Sequence, residues 1–449
     1  MSDYYSIRDI LSVASRHPFY NREVQYPPNA EEIARLLDPQ TQTAVPELRS
    51  LPLTQKEDLY EQIQRLSADD SPQNDFRRSV YTSITGGGSG GVPMLFLTDS
   101  TENRKHRLTA GRFLKTCGLV DPRDWIVTMF ENAGGSVLAV GHTMPISDVV
   151  NALIKYRVNV LSGGSSGILQ ILNYIASSAT EDQRSALKVD KIIYTSEPLG
   201  RQQRDFIRSV LGSVKICSVL GSSEAGPWAV ANLALTGEPD DDAVEFIYDT
   251  RTMVIEILPL EAAETPKESV QSVPGLPEGS VGCIVQTSLQ RLRNPLVRYV
   301  TGDIGSLHPL PAAARAAIPA EEAQHLRMIR MRGRDKRFSF KWDGKYYEFH
   351  TIREVLSTAE WGVLQWQLIL AVKEPSHSVN FEVRLLRSTT ETANQISEAD
   401  LIEKLRKLFH VTPNNKHLFK LTFVGDNEGF ILSSTGNKVM SFVDRSVPS

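Results

Sequence analysis

The segment Tyr81-Thr82-Ser83-Ile84-Thr85-Gly86-Gly87-Gly88-Ser89-Gly90-Gly91-Val92-Pro93-Met94-Leu95-Phe96-Leu97-Thr98 constrains this chain more than any other. Five glycines in six positions stand between two apolar, β-prone stretches. Backbone that dense in glycine approaches an anion closely and turns several N–H groups toward it. Ser83, Thr85 and Ser89 add hydroxyl donors to the same loop. A strand, a glycine loop and a second strand read as a phosphate cradle, and so as a chain that handles a nucleotide.

The kind of cradle follows from context. Gly86, Gly88 and Gly91 satisfy the dinucleotide spacing G-x-G-x-x-G, but that pattern must open a helix after a strand. Here Pro93 and Met94–Thr98 continue as extended chain, so the Rossmann reading fails. No Gly-Lys-Ser/Thr follows, which excludes a Walker loop. A flexible linker would carry similar glycines, yet the flanking strands and the absence of other low complexity argue against one.

At 449 residues the chain is long enough for two or three units. Hydrophobic content of 41% supplies an ordinary soluble core. A net charge of −4 gives no reason to expect nucleic acid or a membrane surface as partner. Cys117, Cys217 and Cys283 are far apart and form neither a disulfide framework nor a zinc pattern, which suits a reducing compartment. The N-terminus shows no charged-then-apolar signal and no apolar run reaches bilayer length, so the expected location is cytoplasmic.

Residues 1–80 read as mostly helical and polar. From about 80 to 305, short apolar runs (Trp125–Phe130, Ser136–Val140, Val158–Leu161, Lys191–Thr195, Val214–Leu220) alternate with helical patterns (Gly167–Ser177, Arg201–Leu211). Such alternation predicts an α/β domain with a mainly parallel sheet. Residues 310–323 read as an inserted Ala/Pro loop or short helix. Beyond Gly333 the pattern becomes a small α+β domain. It has hairpin-like strands at 337–340 and 345–349, a helix near 352–358, strands at 366–372 and 379–386, a helix at 398–409 and a strand at 418–423. The domains are expected at 1–334 and 335–449.

Four further segments carry chemistry. Leu220-Gly221-Ser222-Ser223-Glu224-Ala225-Gly226 follows an expected strand, where a carboxylate flanked by hydroxyls suits Mg²⁺ held against phosphates. A polar strand-end turn would look the same. Arg298-Tyr299-Val300-Thr301-Gly302-Asp303 offers an acid able to accept from both ribose hydroxyls, or simply a turn-forming Asp. Met331-Arg332-Gly333-Arg334-Asp335 supplies an Arg and a hinge position at the domain boundary. In Ser433-Ser434-Thr435-Gly436-Asn437-Lys438, a lysine after a Gly turn can stabilise charge developing on a phosphate, although a lysine near a terminus is usually solvated surface.

In this order these segments resemble the adenylate-forming ligases: acyl-CoA synthetases, luciferases and peptide-synthetase adenylation domains. The N-terminal third sharpens the likeness. His17-Pro18-Phe19-Tyr20-Asn21-Arg22 and Leu51-Pro52-Leu53-Thr54-Gln55-Lys56-Glu57-Asp58-Leu59 resemble segments of the phenylacetate–CoA ligase branch, as does Tyr194-Thr195-Ser196-Glu197-Pro198-Leu199. The resemblance spans essentially the whole chain. It implies that MgATP and a carboxylic acid, aryl or medium-size, give an acyl-adenylate and pyrophosphate. A thiol, most often coenzyme A, then takes the acyl group; an amine or a carrier protein is the alternative acceptor, and a nucleotide-binding homologue without turnover is the third reading.

By position, the resemblance implies that Thr85, Gly86, Gly87, Gly88, Ser89 and Gly90 hold the β,γ-phosphates and Glu224 holds Mg²⁺. On the same resemblance Asp303 and Arg334 would hold ribose, with Ser196, Glu197, Pro198 and Leu220, Gly221, Ser222, Ser223 around adenine. It likewise implies that Lys438 would promote adenylation and that Asp335 would be the hinge. Met129, Phe130, Ala225 and Trp228 are candidates for the acyl pocket.

The chain also departs from the family. Gly90 and Val92 replace a hydroxyl residue and the common Lys of the loop, Leu220 replaces the usual aromatic, Asp335-Lys336 reduces an acidic pair, and Asn437 is an extra residue. Between the expected strands at 126–130 and 136–140 stand only residues 131–135. A parallel crossover normally needs a dozen or more. The acyl pocket is therefore either rebuilt from elsewhere or impaired.

Overall fold

The computed structural model describes residues 4–446 except 41–46, 85–94, 128–130, 139–143, 196–198, 200, 239–242, 264–272, 335–338, 357, 374–377, 388–395, 426 and 432–438. Residues Met1–Ser83 and Leu95–Gly333 form one compact unit, and Arg334–Ser449 make up the body of a second. No helix among the described residues is long and apolar enough to cross a membrane.

The N-terminal part carries helices α1 (Ile7–Ala14), α2 (Ala30–Leu37) and α3 (Lys56–Ala68). Ser6 and Asn29 cap the first two with capping boxes, satisfying backbone donors that a helix start leaves open. Strands β1 (Val80–Ile84) and β2 (Leu95–Asp99) pair with each other, and Asp99 caps α4 (Ser100–Thr116) by accepting from the N–H groups of Thr101 and Glu102.

An 11-stranded sheet follows. Its first strands are β3 (Trp125–Val127), β4 (Ser136–Val137), β5 (Val160–Gly164), β6 (Lys191–Thr195) and β7 (Lys215–Ser222). They lie in the order β7-β6-β5-β3-β4 and every pairing is parallel. Helices α5 (Ile146–Lys155), α6 (Ser165–Ser177), α7 (Glu181–Ala186) and α8 (Arg201–Leu211) stand between them in the chain. Successive side chains on these strands feed two cores. Val160, Ile193 and Cys217 pack with Leu114 and Cys117 of the α4 region, while Leu161, Ile192 and Ile216 pack with Val150, Leu153, Leu172 and Ile207 from α5, α6 and α8. Burial on both faces is why these strands read as continuous apolar runs.

The remaining strands are β8 (Gly226–Asn232), β9 (Val244–Asp249), β10 (Met253–Leu258), β11 (Gly282–Ser288), β12 (Tyr299–His308) and β13 (Leu326–Arg334). The pairings β7–β8, β8–β9, β9–β13, β10–β11 and β11–β12 are antiparallel. The parallel character therefore holds for the half that carries crossover helices and ends where β7 turns into a hairpin.

The short link at 131–135 does not prevent a parallel pair. Trp125 faces Ser136 and Ile126 faces Val137 in parallel register. Among the described residues of the connection stands a 3₁₀ turn at Glu131–Ala133 rather than a helix. That turn packs tightly on α4, where a Cβ on Gly111 would overlap the Asn132 carbonyl group.

In the second unit, β14 (Ser339–Trp342) and β15 (Lys345–Glu348) form a hairpin. Its turn residues Asp343 and Gly344 have φ of 48° and 76°, the conformation a two-residue type I′ turn requires. A four-stranded sheet pairs β16 (Val363–Lys373) with β17 (Ser378–Arg387) antiparallel, and adds β18 (Phe419–Val424) and β19 (Phe442–Arg445) in parallel at its two edges. Helix Glu398–Leu408 contributes Leu401, Leu405 and Leu408 to the core around Phe381 and Trp342.

Candidate active site

Glu224 occupies the three-residue turn of the β7–β8 hairpin, where Ser222 pairs with Gly226. Gly226 has φ of 72°, which such turns favour at that position, and the Ser222 hydroxyl accepts the Ala225 N–H at 3.0 Å. The carboxylate is 7% exposed. Its Oε1 accepts the Tyr60 hydroxyl at 3.0 Å and the Tyr299 hydroxyl at 3.2 Å. Burial pushes this carboxyl upward. The charge of Lys56, its own backbone N–H and the two phenols outweigh that, so its pKa lies below the ordinary glutamate value. A buried carboxylate is thereby held ionised and in place.

These partners come from distant segments brought together by the N-terminal motifs. Thr54 forms a parallel bridge with Tyr299, donating its N–H to the Arg298 carbonyl and accepting the Val300 N–H. That docking sets α3, with Lys56 and Tyr60, against the hairpin. Tyr20 donates its hydroxyl to the Pro295 carbonyl at 2.8 Å and accepts the Val297 N–H. His17 is fully buried, packs on Phe19 and meets Asn294 at 3.4 Å; burial lowers its pKa to about 3, so it is neutral. The residues His17–Tyr20 thus brace the approach to Arg298 and Tyr299.

A cavity of about 480 Å³ lies between α4 and the β7–β8 hairpin. Gly221, Ser222 and Ser223 line it, with Thr195 from the end of β6 and Ser83 and Thr98 from the small sheet. Helix α4 contributes Asn103, His106, Arg107, Ala110, Gly111 and Leu114, the i, i+3, i+4, i+7 face of a helix. Phe113, Ala133, Val219, Trp228 and Val230 make the wall near the C-terminal half of α4 apolar. The Asn132–Ala133 turn is itself part of the wall. The short connection that carries this turn therefore leaves a cavity standing.

His106 donates from Nε2 to the Pro227 carbonyl at 2.9 Å, and burial lowers its pKa to about 4. A Cβ on Gly226 would sit 2.5 Å from the His106 ring. Gly226→Ala is expected to cost about 2–3 kcal/mol, combining left-handed strain for a non-glycine residue with displacement of that ring. Urea unfolding of the purified variant checks it, and a change below about 0.5 kcal/mol would refute the packing account.

Among the expected site residues, Gly221, Ser222, Ser223 and Glu224 are gathered here. Leu220 is half-buried and pairs with Ala229 rather than lining the cavity. Asp303 lies on β12, where its N–H donates to Thr301 Oγ1 at 3.0 Å; it is not part of the cavity wall. Arg334 ends β13, and its side chain lies outside the described residues, as do Thr85, Gly86, Gly87, Gly88, Ser89, Gly90, Ser196, Glu197, Pro198, Asp335 and Lys438. Trp228 joins the apolar wall; Ala225 is buried in the turn, and Met129 and Phe130 lie outside the described residues.

Tyr60, Tyr299 and Arg291 emerge only here. Tyr299 belongs to the Arg298–Asp303 segment and Tyr60 follows Leu59 directly, but the sequence shows no partner for either. Among the described residues no group of three or more His, Cys, Asp and Glu gathers as a metal site. A cation at Glu224 would rest on one carboxylate plus oxygens of its substrate, which is how Mg²⁺ is commonly held. The ionised, anchored carboxylate fits that donor set.

No protein-family model and no curated protein sequence matches the chain. Solved structures do. A 2-hydroxyisobutyryl-CoA ligase in complex with 2-HIB-AMP and CoA, in the thioesterification state, is 14% identical with a TM-score of 0.60, covering 97% of this chain and 87% of that one. The same ligase in an open conformation with 2-HIB-AMP and CoA is 14% identical, with a TM-score of 0.51 over 97% and 89% of the two chains. IdnL1 is 15% identical with a TM-score of 0.50 over 79% and 70%. With its large α/β sheet unit, its separate small sheet unit and these likenesses, the chain has the fold of the adenylate-forming enzymes.

Proposed function

We propose that this protein activates a carboxylic acid with ATP as an acyl-adenylate and transfers the acyl group to a thiol, coenzyme A in the first instance. The observation that carries the reading is the cavity beside Glu224, apolar at one end and bounded by Gly221–Ser223 at the other. An acid and a nucleotide can meet there, its tail against Phe113 and Trp228 and its carboxylate toward the hairpin. In the first step a carboxylate oxygen bonds to the α-phosphorus of ATP and pyrophosphate leaves. In the second the thiol sulfur bonds to the acyl carbon, its proton goes to solvent, and AMP leaves.

Glu224 would hold the Mg²⁺ that accompanies ATP, which neutralises phosphate charge when bound. Tyr60 and Tyr299 keep that carboxylate oriented. Asp303 and Arg334 would take ribose, residues 85–90 the phosphates and Ser196–Pro198 the adenine edge. Lys438 would stabilise the charge that develops as pyrophosphate departs. The acid is aryl or medium-size, in keeping with a cavity of about 480 Å³.

The test is acid-dependent ATP–pyrophosphate exchange across aryl, indolyl and fatty acids, with Lys438→Ala as the blank. Exchange supported by one acid class and lost in the blank is the expected result. Confirmed ATP binding with no exchange for any acid overturns the reading in favour of a nucleotide binder without turnover. Product formation that needs an amine or a carrier protein instead of coenzyme A would reassign the acceptor alone.

A further inference from the structure

Arg291 lines the same cavity, is 3% exposed, and leaves Nε and Nη1 without a hydrogen-bond partner. Its surroundings are otherwise well ordered by bonding. Glu102 on α4 accepts the N–H groups of Leu292 and Arg293, and Arg293 pairs with Asp99 at 2.9 Å. The Arg291 guanidinium lies 4.7 Å from the Phe96 ring centre, which fixes its plane. A buried guanidinium with open donors is costly unless an anion completes it.

Position along α4 tells which anion. Glu102, whose charge acts on Arg291, stands near the start of α4, and Phe113 and Leu114 lie two or more turns later. His106, at the cavity's polar end, is neutral, and Arg107 is exposed. We propose that the Arg291 guanidinium, which lines this cavity, receives the carboxylate of the acid to be activated while the tail extends toward Phe113 and Trp228. His106 to Phe113 spans about 10 Å of helix, the length of an aryl-acetic or six-carbon acid with room to move. The inference rests on the adenylation reading for the identity of its ligand as an acid.

Binding to the intact chain is measured by calorimetry with phenylacetate, indole-3-acetate and hexanoate, each beside its primary amide. At least one carboxylate is expected to bind the native protein about tenfold or more tighter than its amide. In Arg291→Gln that acid should weaken about 10–100-fold to the level of its amide, with amide and ATP affinities unchanged. Arg291→Lys, which keeps the charge and is expected to fold, should recover part of the preference. A purely structural Arg291, serving only to offset the Glu102 and Glu224 charges that act on it, would on removal lower thermal stability without erasing the acid-over-amide difference. Persistence of that difference in Arg291→Gln, no acid binding to the native protein, or selective loss of ATP affinity would each overturn the proposal. Arg291-dependent acid binding without any pyrophosphate exchange would leave it standing and count against the adenylation reading only.

Discussion

Replacing Glu224 by Gln is expected to lower acid-dependent ATP–pyrophosphate exchange about 100–1000-fold, the scale seen when one preorganised electrostatic group is removed. The substitution keeps the side chain's shape and leaves an oxygen to accept from Tyr60 and Tyr299, so stability should change by less than about 1 kcal/mol. What it removes is the negative charge, which Lys56, the backbone N–H and the two hydroxyls together hold on a carboxylate only 7% exposed. Tyr60→Phe and Tyr299→Phe should each cost about tenfold, because each takes away one of two donors to Oε1 while the charge stays. Exchange in Glu224→Gln within threefold of the native rate would remove Glu224 from the nucleotide site, whatever its neighbours do.

Arg298→Met is expected to destabilise the protein by about 3–5 kcal/mol, read as a shifted urea midpoint, because one charge of a buried pair is left alone. Arg298 is fully buried and Glu256 nearly so. The guanidinium donates to both Glu256 oxygens at 3.1 and 3.2 Å, to the Arg49 carbonyl at 3.1 Å and to the Leu51 carbonyl. It therefore joins the N-terminal segment to β10 and sits one residue before Tyr299. Adding Glu256→Leu should restore a large part of the loss, since the stranded carboxylate is then gone. An Arg298→Met variant as stable as the native protein would mean that solvent reaches Glu256 and that the pair does not anchor residues 49–51.

Much of this molecule is legible in its order of residues. The apolar runs that became β5, β6 and β7 are continuous because both faces of those strands are covered, and their spacing by helical patterns predicts parallel pairing. The small unit is read nearly strand for strand, and its first hairpin closes on Asp343-Gly344, a pair suited to the turn it makes. Glu224 is identifiable because it follows a strand within a hydroxyl-rich turn.

Other features are set by contacts between residues far apart in the chain. In the antiparallel half the described connections carry only short helical segments, such as Ala312–Ala317 between β12 and β13, so its strands carry no local sign of which neighbour each will choose. The 131–135 link is too short for a helical crossover, yet β3 and β4 pair in parallel across it with a 3₁₀ turn in between, which apolar character alone does not reveal. Whether a cavity survives beside that link depends on Gly111 letting the Asn132–Ala133 turn against α4. Composition and motif order determined the class of fold and the candidate carboxylate. Only the tertiary structure decided that Tyr60, Tyr299 and Lys56 surround it and that Arg291 is left with open donors, because burial and hydrogen-bond satisfaction depend on neighbours far apart in the chain, 164 residues apart in the Tyr60–Glu224 bond.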